Sequence, residues 1–139
     1  MGLIVVDAGV VIGFLDSNDA HHDSARAALG DAIVGRHRLS IPVSALAEVL
    51  VGPSRSGDDA VAVVRELLDR VPIEIVDLDD RIATVAARLR ARHRSLKLPD
   101  ALVIATAAVV DADLLITTDR GWPPRHRLGL RAEIVELRV

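Results

Sequence analysis

The chain has 139 residues, half of them hydrophobic, with 17 Lys and Arg against 20 Asp and Glu, a formal net charge of -3 and no cysteine. That length suits one domain, 1–139, with a real core, and the missing cysteines exclude a disulfide framework and a thiolate metal site. Met1 to Asp7 lacks a basic leader, Val6 stands where myristoylation needs a hydroxyl, and no apolar run reaches the twenty or so residues of a membrane span, so a soluble, cytoplasmic protein without membrane attachment is expected.

Leu3-Ile4-Val5-Val6 is a β-branched run that ends at Asp7, and Ala8 to Leu15 then predicts a tight turn and a short buried helix. Asn18 to Leu29 predicts a second helix with Ala25, Ala28 and Leu29 as its apolar side. His21 and His22 fall early in it and are expected on the surface. Adjacent helical positions point about 100° apart, so the pair does not readily share one ion.

Leu39-Ser40-Ile41 is a second strand closed by Pro42, and Ser44 is placed to cap a helix over Ala45 to Val51 that Gly52-Pro53 would end. Glu48 is the only charge between Leu39 and Gly52. It comes one residue too late for a capping box, and a carboxylate among apolar neighbours must reach solvent, a cation or a metal. Gly57 to Arg70 is an amphipathic helix with Ala60, Val64, Leu67 and Leu68 inward, read as packing only. Ile73 to Val76 is a third strand.

The next helix buries Ile82, Val85, Ala86 and Leu89 and carries Arg81, Arg88, Arg90, Arg92, Arg94 and Lys97 on its other sides and exit, with no acid from Arg81 to Pro99. Such a block is either a local field or a solvated face with cations favoured at the helix C-terminus. Lys97-Leu-Pro99-Asp100 then opens a helix, because Pro is tolerated in the first turn and Asp100 suits its positive end. Ala101 to Val110 holds no charge and is apolar on every side, the pattern of a helix buried all round. Asp111 and Asp113 frame its exit. Leu114-Leu-Ile116 is a buried strand that stops at Thr117-Thr118-Asp119. A rigid loop with Trp122 and Pro123-Pro124, a second basic cluster of Arg125, His126, Arg127 and Arg131, and a last strand over Ile134 to Leu137 complete the chain.

Strands alternating with helices predict an α/β three-layer α/β/α sandwich with a mainly parallel sheet, whose ligands bind at the C-terminal strand ends. Asp7 and Asp119 end strands, while Glu48 and Asp100 sit early in helices. Singly, each has a plain account as a cap, turn former, dipole partner or surface residue. Together in one cleft they would repel one another, and some would stay protonated at neutral pH without a cation. Oxygen-only ligands favour Mg²⁺ or Mn²⁺ over Zn²⁺.

With these residues in place the chain resembles the PIN domains, a family of metal-dependent ribonucleases, and among them the VapC toxins of bacterial VapBC toxin-antitoxin modules. The resemblance covers essentially the whole length. It rests on the strand ending in Asp7, on Ser44-Ala-Leu-Ala-Glu48, on Leu98-Pro99-Asp100-Ala101 before a buried helix, and on Leu114-Leu-Ile-Thr-Thr-Asp119. Residue by residue it implies Asp7, Glu48, Asp100 and Asp119 as the catalytic, metal-binding set for Mg²⁺ (or Mn²⁺), with Thr117 in support. Gly9 departs from the pattern, since relatives usually carry a small polar residue there.

The activity so implied is metal-dependent endoribonuclease cleavage of RNA, leaving a 5′-phosphate and a 3′-hydroxyl. An acidic cleft repels RNA, so Arg88, Arg90, Arg92, Arg94 and Lys97, with Arg125, Arg127 and Arg131, are the candidates to hold phosphates. With Phe14 and Trp122 the only large aromatics, recognition is expected to rest on shape and backbone more than on stacked bases. The resemblance also implies a cognate small antitoxin and a homodimer, the antitoxin filling a groove beside Val10 to Leu15 and Ala45 to Val51. A housekeeping RNA-processing nuclease and a non-catalytic PIN-like scaffold are the alternatives. A phosphoacceptor receiver or a phosphatase fits poorly, because the latter needs a second Asp where Gly9 stands.

Overall fold

The computed structural model describes residues 2–139. Five strands, β1 (Leu3–Val6), β2 (Arg38–Pro42), β3 (Ile73–Val76), β4 (Leu114–Thr117) and β5 (Glu133–Glu136), form one sheet in the order β3-β2-β1-β4-β5. Every pairing is parallel, so all five C-terminal ends share one edge. The chain builds outward from β1 to β2 and β3, then returns to β1's other side for β4 and β5. The strand order therefore reverses between β1 and β4, the place where a parallel sheet opens a crevice.

Seven helices cover this sheet: α1 (Ala8–Leu15), α2 (His22–Val34), α3 (Val43–Ser56), α4 (Asp58–Arg70), α5 (Asp80–Arg92), α6 (Leu98–Val109) and α7 (Arg125–Leu128). The architecture is the expected three-layer α/β/α sandwich. Ile4, Val5 and Val6 of β1 and Leu115 and Ile116 of β4 are buried on both faces of the sheet, which is why these strands read as unbroken apolar runs. In α6, Ala101 and Val103 to Ala107 are buried, but the charge-free run is not buried all round, since Ala108 is exposed and Leu102, Val109 and Val110 are half-buried; Thr106 satisfies its hydroxyl by donating to the Leu102 carbonyl at 2.7 Å. Burying each of its Val and Ile side chains contributes roughly 1.5–3 kcal/mol, so this helix anchors Asp100 at its N-terminus.

Several local expectations fail, each for a visible reason. The second helix begins at His22, not Asn18, and runs on to Val34. Asp16 accepts from the Asn18 N–H and Asp19 from the His21 N–H, so residues that looked like a helix start are spent on turns. His21 and His22 are half-buried instead of exposed, and His22 Nδ1 bonds the Gly13 carbonyl at 2.8 Å. α3 starts at Val43 straight from Pro42, and Ser44 makes no cap. It also runs through Gly52 and Pro53, because proline's φ is helical and Ala45, Leu46 and Val49 are already buried on one side. The stop comes at Gly57, whose φ of 118° few other residues tolerate. On α4 only Leu68 is buried, and Leu67 and Val63 are open to solvent.

Candidate active site

Asp7 follows β1 directly and caps α1, its Oδ1 accepting from the Ala8 N–H at 2.8 Å. Its backbone N–H donates to the Ile116 carbonyl of β4 at 2.9 Å, which extends the β1–β4 ladder to the crevice. The buried Thr117 hydroxyl donates to Asp7 Oδ2 at 2.8 Å and accepts from the Asp119 N–H at 3.0 Å. One hydroxyl thus joins the two acids at the switch point. Asp119 in turn holds its own loop, its Oδ1 accepting from the Gly121 N–H at 2.7 Å. Gly9 fits this arrangement: a Cβ there would fall on the Thr118 hydroxyl, which would have to rotate away, and Asp7 is positioned from Ala8 and Thr117.

The four acids act on one another. Asp7 is pushed above its ordinary value, by burial first, against the Thr117 and Ala8 hydrogen bonds and with a further push from Asp119. Asp100 is raised by burial, then by Asp119 and Asp7, with the Trp122 indole and Lys97 opposing. Glu48 is raised by desolvation and by the charges of Asp7 and Asp100, although it reaches solvent from α3. The structure therefore brings Asp7, Glu48, Asp100 and Asp119 together at the C-terminal edge of the sheet.

This is an all-oxygen donor set under mutual repulsion, the chemistry that suits a hard divalent cation. Among the described residues no group of three or more acids or histidines stands close enough to hold a metal ion as the side chains are placed. Asp7 is held by two hydrogen bonds, whereas Glu48 and Asp100 come from separate helices. Asp7, Glu48, Asp100 and Asp119 are the residues that would hold such an ion.

The basic candidates divide. Lys97 lines the crevice of about 150 Å³ with Asp100, Asp119 and Trp122. Arg88, Arg90, Arg92 and Arg94 are exposed on α5 and the turn that leaves it, and none pairs with an acid among the described residues. Arg125 and Arg127 are exposed on α7 beyond the Pro123-Pro124 loop. Arg131 does not belong with them. It bonds Asp111 Oδ1 at 2.7 Å and Asp113 Oδ1 at 3.3 Å, at the start of β4 and hence the opposite edge of the sheet. The two acids read as framing a turn are its partners. Trp122 was the residue undervalued by sequence: it stands with its buried indole nitrogen beside the Asp100 carboxylate, a placement that only the fold reveals.

A family model described as the PIN domain matches residues 4–124. The chain belongs to the PIN domain family. Its fold is also that of VapBC2 from Rickettsia felis, solved bound to a DNA fragment from its promoter, with a TM-score of 0.75 at 17% identity over 98% of this chain and 99% of that one. A toxin-antitoxin complex from Klebsiella pneumoniae is similar at 25% identity and a TM-score of 0.63, covering 86% of this chain and 92% of that chain. The Sarcin-Ricin loop cleaving toxin VapC20 of Mycobacterium tuberculosis is similar at 16% identity and a TM-score of 0.67, covering 85% and 91%. An uncharacterized protein from Archaeoglobus fulgidus is 50% identical over 44 residues, 32% of this chain and 67% of that protein.

Proposed function

We propose that this PIN domain is a Mg²⁺- or Mn²⁺-dependent endoribonuclease acting as the toxin of a type II toxin-antitoxin pair. The observation that carries the reading is the convergence of Asp7, Glu48, Asp100 and Asp119 at the β1–β4 switch point, with a single Thr117 hydroxyl bridging two of them. A non-catalytic scaffold gains nothing from like charges that raise one another's pKa.

When bound, the divalent cation supplies Lewis acidity toward a phosphodiester and its attacking water. The chain's own residues do the rest. Thr117 holds the Asp7 carboxylate in one orientation, and the Gly121 N–H does the same for Asp119. Asp100 and Glu48 have their proton affinity raised, by burial first and then by the neighbouring acids. Lys97 at the crevice, with the exposed Arg90, Arg92 and Arg94 preceding it in the chain, offers the positive charge that an RNA backbone needs to approach four acids.

The neighbours' toxin-antitoxin complexes favour the toxin over a housekeeping nuclease, and the surface supplies a place for an inhibitor. A groove of about 330 Å³ between α1, α3 and α4 is lined by Ile12, Leu15, Val49, Pro53 and Val64, and Glu48 closes one side of it. Pro53 and the continued α3 build this groove, so the failed helix stop has a use. An antitoxin helix laid there would bury its apolar face and bring an Arg or Lys to the acids. A homodimer of the toxin remains part of the proposal.

Purified protein should cut RNA only with Mg²⁺ or Mn²⁺, and Asp100→Asn should not. Expressed alone, the wild type should arrest growth, and co-expression of an adjacent small gene should restore it. Harmless expression of folded, metal-supplied protein that still cuts RNA would move the assignment to RNA processing.

A further inference from the structure

A second cavity, of about 250 Å³, opens between the loop after β4 and the edge strand β5. It shares Asp119 and Trp122 with the crevice that holds Lys97 and Asp100, so Trp122 is the partition between the two. It is smaller than the roughly 300–1,000 Å³ of a drug-sized pocket, the scale of a single planar ring system with open access. We propose that this cavity is a guanine-selecting subsite for the RNA base adjacent to the phosphate cleaved at the four acids. The inference rests on the nuclease assignment above and adds to it the base that is read.

The walls suit a base. Trp122, Pro123 and Ile134 offer flat or apolar surface, and unstacked RNA bases are held on such faces. Arg120 and Arg125 stand at the same cavity and supply charge for the phosphates on either side of the base. The polar lining then discriminates. Glu133 and Glu136 of β5 contribute carboxylates, which only accept hydrogen bonds. Glu136 is only loosely paired, with Arg120 Nε at 3.9 Å, and Glu133 has no ion-pair partner among the described residues. Guanine presents two adjacent donors, N1–H and the N2 amino group, to one carboxylate. Adenine and cytosine present one amino group each, and the uracil O2 and O4 acceptors would be repelled.

The Trp122 indole nitrogen adds a second observation. It is buried beside the Asp100 carboxylate, which it favours in its ionised form, and it stands between the two cavities. Trp122 is thus tied to the acids through its nitrogen while it lines this cavity, so a base held on its ring lies next to them.

Trp122 is the only tryptophan, so its fluorescence reports on this cavity without any cleavage. In the absence of divalent cations, GMP, AMP, CMP and UMP are titrated into wild type and into Glu133→Gln/Glu136→Gln. Saturable quenching by GMP at least about ten-fold tighter than by UMP, with the preference lost in the double variant, is the expected result. Equal or unsaturable quenching by all four nucleotides in the wild type overturns the proposal. The readout is independent of the enzyme: selective GMP binding by a protein that cuts no RNA would retire the nuclease assignment alone, while cleavage without selective binding would retire the subsite alone.

Discussion

Replacing Thr117 by Val keeps the shape of a side chain that is fully buried and removes only its hydroxyl. Two bonds go at once: the 2.8 Å bond donated to Asp7 and the 3.0 Å bond accepted from the Asp119 N–H. A hydrogen bond to a charged group is worth roughly 1.5–3 kcal/mol, and most of that is spent here on keeping Asp7 ionised and aimed. Among the influences on Asp7, Thr117 is the strongest that lowers its pKa, so its loss lets burial push the group further up. Groups that support metal ligands from behind typically carry 10–100-fold in affinity or activity, and we expect kcat/KM for RNA to fall by about that factor. The acidic limb of the pH–rate profile should also move to higher pH, because Asp7 must lose its proton to serve as a ligand. Thr117→Ser should retain most activity and the original limb. Cleavage of one synthetic RNA over a pH series, at saturating and limiting Mn²⁺, measures both effects. An unchanged rate and limb in Thr117→Val would refute the role assigned to the hydroxyl.

Asp100→Asn should be inactive yet folded, and more stable than wild type at neutral pH by a few degrees in Tm. The sign follows from the raised pKa: a protonated Asp100 favours the fold, and that contribution is lost as pH rises through the raised value, so the two proteins should converge below about pH 4 and separate above it. Added Mn²⁺ should raise the Tm of wild type in a concentration-dependent way and leave the variant nearly unmoved, with equal shifts placing the ion elsewhere. Replacing Arg90, Arg92 and Arg94 by Ala should weaken RNA binding and reduce the slope of log K against log salt by up to about 2, at roughly 0.7 per lost phosphate contact. An unchanged slope would leave these arginines as a solvated face.

What could be read in the sequence was whatever a short apolar run and its end dictate. Ile4 to Val6 and Leu115 to Ile116 are buried from both sides, so each strand appears as an unbroken apolar stretch, and the acid that follows marks where the strand meets water. The charge-free helix that carries Asp100 was legible for the same reason. Helix boundaries were not, because turn chemistry competes with helix chemistry for the same residues. Asn18 looks like a helix start, yet the Asp16 and Asp19 carboxylates take the N–H groups of Asn18 and His21 and close the turn before His22. Gly52-Pro53 looks like a stop, yet packing carries α3 through it to Gly57. Arg131 was misplaced because a run of cations close in sequence was taken as one patch, whereas β5 turns that residue to the far edge of the sheet and onto Asp111 and Asp113.

The Gly9 position shows how the two halves of the site depend on each other. Viewed along the chain, its missing side chain is a loss beside Asp7. In the fold, the space is taken by the hydroxyl of Thr118, one residue after Thr117 and one before Asp119. The turn after β4 thus approaches the first turn of α1 with the Thr118 side chain, whose hydroxyl takes the place of a side chain at position 9. That approach sits where the Asp7 N–H meets the Ile116 carbonyl and Thr117 reaches Asp7, so the same segment that brings Asp119 also fixes Asp7. A glycine in the first turn of α1 and the second of two threonines after β4 thus share one space. A polar side chain at position 9 therefore requires the Thr118 hydroxyl to rotate away, which couples the two positions across the switch point.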